Sequence, residues 1–236
     1  MVTHEKNNAQ FDLAKTEVLG KLFSINHQKR QQAWYNKFQE VVLDASLQLL
    51  EPNVSTGPDG FNYLNLAMPE PNTPFQSFCI SHVIPHCLEQ GLGIALFLNK
   101  HNLALSMPEY VFSMGVLDGL HRHNSWVGKY DCGVTNNILP AGEICFTGQP
   151  GEEIIPSYTK KLIGNLLRGY GFTNPKIGNF YNEKVGFAVI INCRESNFAN
   201  KDLIQHLCTQ IMWLLTPGIA VTLLSETDSD DDLLSI

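Results

Sequence analysis

Between residues 143 and 225 the apolar residues switch repeatedly between a spacing of two and one near 3.6, and this alternation restricts the fold more than any other feature. Glu143–Thr147 reads as a strand and Gly148-Gln149-Pro150-Gly151 as a turn. Pro156 opens a helix through Tyr170 with Tyr158, Leu162, Ile163, Leu166 and Leu167 inward, and Gly169 and Gly171 stop it. Lys176–Tyr181 and Val185–Asn192 are strands on either side of a tight turn at Asn182-Glu183. Asn200 caps a helix carrying Leu203, Ile204, Leu207, Ile211 and Leu214, which Thr216-Pro217-Gly218 ends, and Ile219–Ser225 is a final strand. Strand, helix, strand, strand, helix, strand predicts a ferredoxin-like βαββαβ fold, with two helices over one face of a four-stranded antiparallel sheet.

The preceding residues are read in the same way. A helix over about 10–25 buries Phe11, Ala14, Val18 and Leu22. A second helix over 28–50 carries Trp34, Phe38, Val41, Ala45 and Leu49 at intervals of three and four, until Glu51-Pro52 ends it. A turn at Gly57-Pro58-Asp59-Gly60 leads to a strand from Phe61 to Met68. Thr73-Pro74 starts a helix to Gln90, with a kink expected at Pro85 and a stop at Gly91. Gly93–Leu98 is an apolar strand, a turn at Asn99–Asn102 leads to a short strand near Leu103–Ser106, and 108–121 reads as a helix. The fold class is therefore α+β: an N-terminal helical pair followed by two antiparallel sheet-plus-helix halves. The expected divisions are a helical segment (1–52), a first α+β half (53–122), a connection (123–142), the ferredoxin-like half (143–225) and a disordered acidic tail (226–236).

Charge and composition exclude several classes of function. The net charge is -7, but Glu226, Asp228, Asp230, Asp231 and Asp232 supply five of those charges, so the body stands near -2 and has no global attraction for nucleic acid or an anionic membrane. No apolar run is long enough to span a bilayer, and the polar start, Met1-Val2-Thr3-His4-Glu5-Lys6, lacks the basic and apolar parts of a secretory signal. Of the six cysteines (Cys79, Cys87, Cys132, Cys145, Cys193 and Cys208), three lie inside apolar periodic segments, and all read as reduced thiols of a cytoplasmic protein.

Few residues converge as chemistry would need. Cys79, His82, His86 and Cys87 offer four metal-ligand types in nine residues, and on an unbroken helix His82, His86 and Cys79 would share a face. Pro85 disturbs that helix and Cys87 points elsewhere, so buried cysteines beside surface histidines are the plainer reading, and no metal or cofactor is expected. His121 and His123, with Cys132 beyond them, could form a Cys–His centre; a solvated helix end or loop explains them more simply. Gly148–Glu153 joins strand to helix, but its proline removes a donor and its carboxylates repel phosphate, so Glu152 and Glu153 belong near the positive helix end. Phe172, Phe180, Tyr181 and Phe187 could stack single-stranded RNA, but the nearby cations are few (Arg168, Lys176 and Lys184) and the aromatics read as core. The tail is the sharpest local feature. It is either a solubilising end or a docking peptide, in which Glu226, Asp228, Asp230, Asp231 and Asp232 steer and Leu233, Leu234 and Ile236 insert.

Two resemblances add expectations. Phe146-Thr147-Gly148-Gln149-Pro150, through Pro156-Ser157-Tyr158 and its helix to Asn174-Pro175-Lys176-Ile177, resembles the C-terminal part of bacterial SseB-like (enhanced serine sensitivity) proteins. There a Gln-Pro or Glu-Pro strand end leads through a proline-started helix to an antiparallel strand pair. That family supplies no catalytic residues to carry over, and the N-terminal helices depart from it. The Asn-, Leu- and Lys-rich usage and the acidic run before an apolar end resemble substrates and accessory subunits of type IVB secretion systems of intracellular Gram-negative bacteria. The expected function is a non-enzymatic protein-interaction module: an adaptor or accessory subunit of a larger cytosolic assembly such as a type IV secretion system, with protein partners and a homo- or hetero-oligomeric state. The other two readings are a secreted effector whose acidic tail is its export signal and an enzyme centred on Cys132 or His121/His123.

Overall fold

Two helices stand near the N-terminus where they are predicted. The first buries Thr16, Leu19, Leu22 and Phe23, so that of its predicted face Leu22 is buried, Ala14 is exposed, Val18 is half-buried and Phe11 lies outside the described residues. The second ends well before Glu51. The computed structural model describes residues 12–127, 146–182, 186–224, 226 and 229–236. Helix α1 (Leu13–Phe23) is capped by Asp12, whose Oδ1 accepts from Lys15 N at 3.0 Å. Helix α2 (Gln32–Val41) buries Trp34, Phe38 and Val41, the first three members of the predicted stripe. From Leu47 the chain is a strand, β1 (Leu47–Thr56), hydrogen-bonded to β2 (Asn62–Ala67). The helical period over Val41, Ala45 and Leu49 is overridden by this pairing, because a ladder satisfies backbone groups that local periodicity cannot weigh. Pro52, expected to end a helix, instead lies in a bulge where residues 50–53 face Asn65. Asn65 is fully buried; its amide donates to Pro52 O at 2.8 Å and its carbonyl accepts from Ser55 Oγ at 3.0 Å.

The rest of the first sheet departs from expectation in its short elements. Strand β3 (Ser77–Phe78) occupies the stretch where Thr73 was to cap a helix, and α3 begins only at Ile80 (Ile80–Gln90). Pro69, Pro71, Pro74 and the left-handed Asn72 keep the preceding chain extended or turned. Pro85 is inside α3, and Gly91 (φ 69°) ends it as predicted. Strand β4 (Gly93–Phe97) is buried throughout. The predicted strand at 103–106 is replaced by a short helix, α4 (Lys100–Ala104), capped by Asn99, while the predicted helix over 108–121 divides into β5 (Tyr110–Phe112) and α5 (Met114–His123), capped by Ser113. The sheet order is β3-β1-β2-β4-β5, with β2 and β4 parallel and the other pairs antiparallel. Phe38 anchors an aromatic cluster beside it, stacked on Trp34 (5.0 Å between centroids) and against Tyr110 (4.6 Å).

The second sheet is built from β6 (Phe146–Gly148), β7 (Lys176–Asn182), β8 (Gly186–Ile191), β9 (Ala220–Leu223) and β10 (Leu234–Ser235), with α6 (Ser157–Gly169) and α7 (Lys201–Leu214). The predicted order of elements is present, and Asn200 caps α7 through Leu203 N at 3.0 Å. The pairing is not ferredoxin-like. In a split βαβ arrangement another strand separates the two strands joined by a helix; here β8 and β9 are parallel neighbours across α7, and β6 lies antiparallel beside β7. Both sheets are mixed rather than antiparallel, because each contains one such parallel crossover. Apart from the two-residue β3 inserted before α3, the order α2-β1-β2-α3-β4 therefore recurs as α6-β7-β8-α7-β9, a hairpin followed by a helical crossover to a parallel strand.

Contacts cluster into two units, Met1–Cys87 with Leu92–Phe112 and Leu88–Gly91 with Ser113–Ile236. The N-terminal helices thus belong to the first sheet's unit, and α5, expected in the first half, belongs to the second. Most of the predicted connection, 123–142, lies outside the described residues. Among the described residues no helix is long and apolar enough to cross a membrane.

Candidate functional site: a sheet edge that takes up the chain's last strand

Strand β7 has β8 on one side and two short strands sharing its other edge. Strand β6 covers Asn179–Tyr181, and β10 covers Lys176 and Ile177. Segment 226–236 was expected to be disordered. Residues 229–236 instead fold back onto the body, because the half-buried Leu233, Leu234 and Ile236 find apolar surface and the backbone finds an unpaired edge.

The seat for this segment is specific in shape and charge. Ile236 N donates to Pro175 O at 3.0 Å and continues the β10 ladder. Arg168, in the last turn of α6, donates from Nη2 to the backbone oxygen of Ile236 at 2.6 Å. A Cβ at Gly164 would lie 3.0 Å from the Ile236 carbonyl carbon, and one at Gly178 would overlap the Leu233 side chain. Both glycines thus leave the space that the segment fills. Lys176 Nζ lies 3.2 Å from Asp230 Oδ1 and donates to Asp230 O at 3.1 Å, while Asn192 Nδ2 donates to Asp230 Oδ2 at 3.3 Å. The Lys176 and Asn192 contacts hold the Asp230 carboxyl below its ordinary value. A groove of about 390 Å³ runs beside the strand, lined by Lys160, Lys161, Asn165 and Arg168 of α6 together with Leu234 and Ile236.

The other tail acids divide between anchoring and solvent. Glu226 accepts from Ser196 N at 2.9 Å and Ser196 Oγ at 2.8 Å, and these bonds lower its pKa. Asp231 pairs with Ser229, and Asp232 is exposed. Asp228 lies outside the described residues. Arg168 and Lys176, two of the three cations weighed for RNA, are engaged by this segment.

The remaining candidates are placed elsewhere. Cys79 and Cys87 face the core at either end of α3 while His82 and His86 are exposed, so the four do not converge; among the described residues no three His, Cys, Asp or Glu side chains gather as metal ligands. Burial pushes the Cys87 thiol up to about 12; burial, with a smaller contribution from Cys208, does the same for Cys193. Such thiols are poor nucleophiles at neutral pH. His121 and His123 close α5, and Cys132 and Cys145 lie outside the described residues. Glu152 caps α6 as its position suggested, accepting from Ser157 Oγ at 2.6 Å and Ser157 N at 2.9 Å. These two bonds, with a smaller contribution from Lys160, lower its pKa to about 2.

A further polar cluster lies away from these candidates. Asp118, 1% exposed on α5, accepts from Arg122 Nε at 2.7 Å, from Thr216 Oγ1 at 2.8 Å and from the Tyr158 hydroxyl. Arg122 also donates from Nη1 to Glu153 O at 2.9 Å. Burial pushes the Asp118 carboxyl up, but the hydrogen bonds from Arg122, Tyr158 and Thr216 outweigh it and leave the pKa lowered. Burial and Asp118 together raise that of Tyr158. All the donors around Asp118 are occupied in joining α5, the start of α6 and the loop after α7, which makes the cluster a structural tie. No family model, curated protein or solved structure matches the chain.

Proposed function

We propose that this chain is a non-enzymatic interaction module, an adaptor or accessory subunit that recognises polypeptide by adding a strand to a sheet edge. The observation that supports this reading is the β7 edge, where the chain's own last strand is held by backbone pairing, glycine-shaped spaces and two cations. Strand addition takes affinity from main-chain hydrogen bonds and selectivity from side-chain seats beside the edge, and both are in place here. A cytosolic assembly such as a type IV secretion system is the setting that the composition and tail imply. An export role for the tail would first require the release of residues 229–236.

The test is cross-linking in extracts of the source cells. The chain is expected to elute well above its 26.4 kDa monomer mass, with lysine cross-links to another polypeptide from Lys160, Lys161 or Lys176. Elution as a free monomer with no such cross-links would end the reading.

A further inference from the structure

We infer that the outer edge of β7 is a receptor for partner segments of the pattern Asp-x-x-Leu-Leu-x-Ile, and that the chain's own residues 230–236 occupy it as an exchangeable occupant. The inference rests on the interaction-module reading and names its ligand.

Each element of the pattern answers a feature of the seat. The acid meets Lys176 and Asn192. The first leucine fills the space above Gly178, where any side chain on β7 would collide with it. The second leucine is in register with Ile177. At the final position the backbone lies over Gly164 and its oxygen accepts from Arg168 at 2.6 Å, while the residue, Ile236, lines the groove along α6. A segment with a basic residue at the first position would meet Lys176 as a like charge, and one with a bulky polar residue in place of Leu233 would not fit the Gly178 space.

The occupant is specific but lightly held. Its ladder is short: Leu234 and Ser235 pair with β7, and Ile236 N extends it to Pro175 O. Its ion pair is partly in solvent, with Lys176 and Asp230 side chains 16% and 35% exposed. Short, exposed pairings of this kind open at far lower cost than a core strand. The tether still favours the chain's own segment, since a linked competitor acts at an effective concentration on the order of millimolar. A partner therefore succeeds when it contributes contacts beyond the seat, and the groove along Lys160, Lys161 and Asn165 lies beside it for that purpose.

The probe is a fluorescent peptide of residues 229–236, acetylated and amidated so that only the internal pattern is tested. The full chain carrying Asp230→Lys and Leu233→Asp, which release its own segment, is expected to bind the probe at least tenfold more tightly than the unaltered chain. Adding Arg168→Ala or Gly178→Val to that background is expected to remove the gain. Equal binding by the unaltered and released chains overturns the inference. So does no binding to a released chain that keeps the parent's circular dichroism and unfolding temperature. Should the released chain fail to fold, the unaltered ¹⁵N-labelled chain is titrated with unlabelled peptide to several millimolar. Movement of the residue 229–236 amide signals to free-peptide positions supports exchange, and unmoved signals at saturation overturn it. Failure here with partner cross-links still present at Lys160 or Lys161 removes this ligand pattern and leaves the interaction module; loss of both removes both.

Discussion

Asp118 and Arg122 stand one turn apart on α5, but their surroundings are unequal: the Asp118 side chain is 2% exposed and the Arg122 side chain 18%. Removing one partner of a buried ion pair costs about 3–5 kcal/mol, because the other is left charged and uncompensated. Arg122→Met leaves the carboxylate buried with only the Tyr158 and Thr216 hydroxyls, so the expected loss is about 4 kcal/mol. Asp118→Asn leaves a guanidinium that reaches solvent and keeps the Glu153 carbonyl, so about 2 kcal/mol is expected. Urea unfolding of the two variants measures this order, and equal losses would contradict the tie described here. The i,i+4 spacing of the pair was legible in the sequence. Its other partners were not, since Tyr158 and Thr216 are 40 and 98 residues from Asp118 and only the packed second unit brings them to it.

At the scale of elements, two glycines of α5 are approached unequally by the chain around them. A Cβ on Gly115 would overlap the backbone carbonyl of Leu215, whereas one on Gly119 would lie 3.0 Å from Ser125 O and 3.1 Å from Thr216 Cγ2. Replacing a mid-helix glycine with alanine favours the helix by about 1 kcal/mol, while overpacking costs about 1–3 kcal/mol. At Gly115 the contact is with backbone, which cannot rotate away, so Gly115→Ala is expected to lower stability by about 2 kcal/mol. At Gly119 a small shift suffices and the two effects nearly cancel. Thermal unfolding of both variants decides the point; a stabilised Gly115→Ala chain would mean that α5 does not approach the loop so closely. The elements most legible beforehand were those with a cap and a stop in the sequence: α3's end at Gly91, α6 after Pro156, and α7 between Asn200 and Thr216. Those misread were the ten-residue β1, the short β3 and β5, and the short helix α4; the strands exist through ladders to other segments rather than through their own pattern.

At the scale of the molecule, five carboxyls among the described residues sit below their ordinary values. Glu17 is lowered by Lys21, Asp118 by its buried donors against the pull of burial, Glu152 by Ser157, Glu226 by Ser196 and Asp230 by Lys176. A carboxyl whose folded pKa is depressed contributes stability that is complete above its unfolded pKa and is lost as pH falls through the folded one. The unfolding temperature is therefore expected to be level above about pH 5 and to decline from there toward about pH 2. Glu17, Glu152 and Glu226 are exposed and Asp230 is half-buried, so most of the acid-linked loss belongs to the fully buried Asp118. An Asp118→Asn chain should show a shallower decline than the parent, and an identical slope in the two would place the acid lability elsewhere.

From the sequence alone came the α+β class, the two opening helices, the order of elements after residue 143, and the residues that cap or stop the best-defined helices, because caps, breakers and periodicity act over a few neighbours. Tertiary structure decided which strands are adjacent, which residues surround Asp118, and the fate of residues 229–236. That segment's charges argued for solvent; an open sheet edge with two missing Cβ atoms and two cations placed it against β7 instead, since pairing partners and cavities exist only once distant parts of the chain have come together.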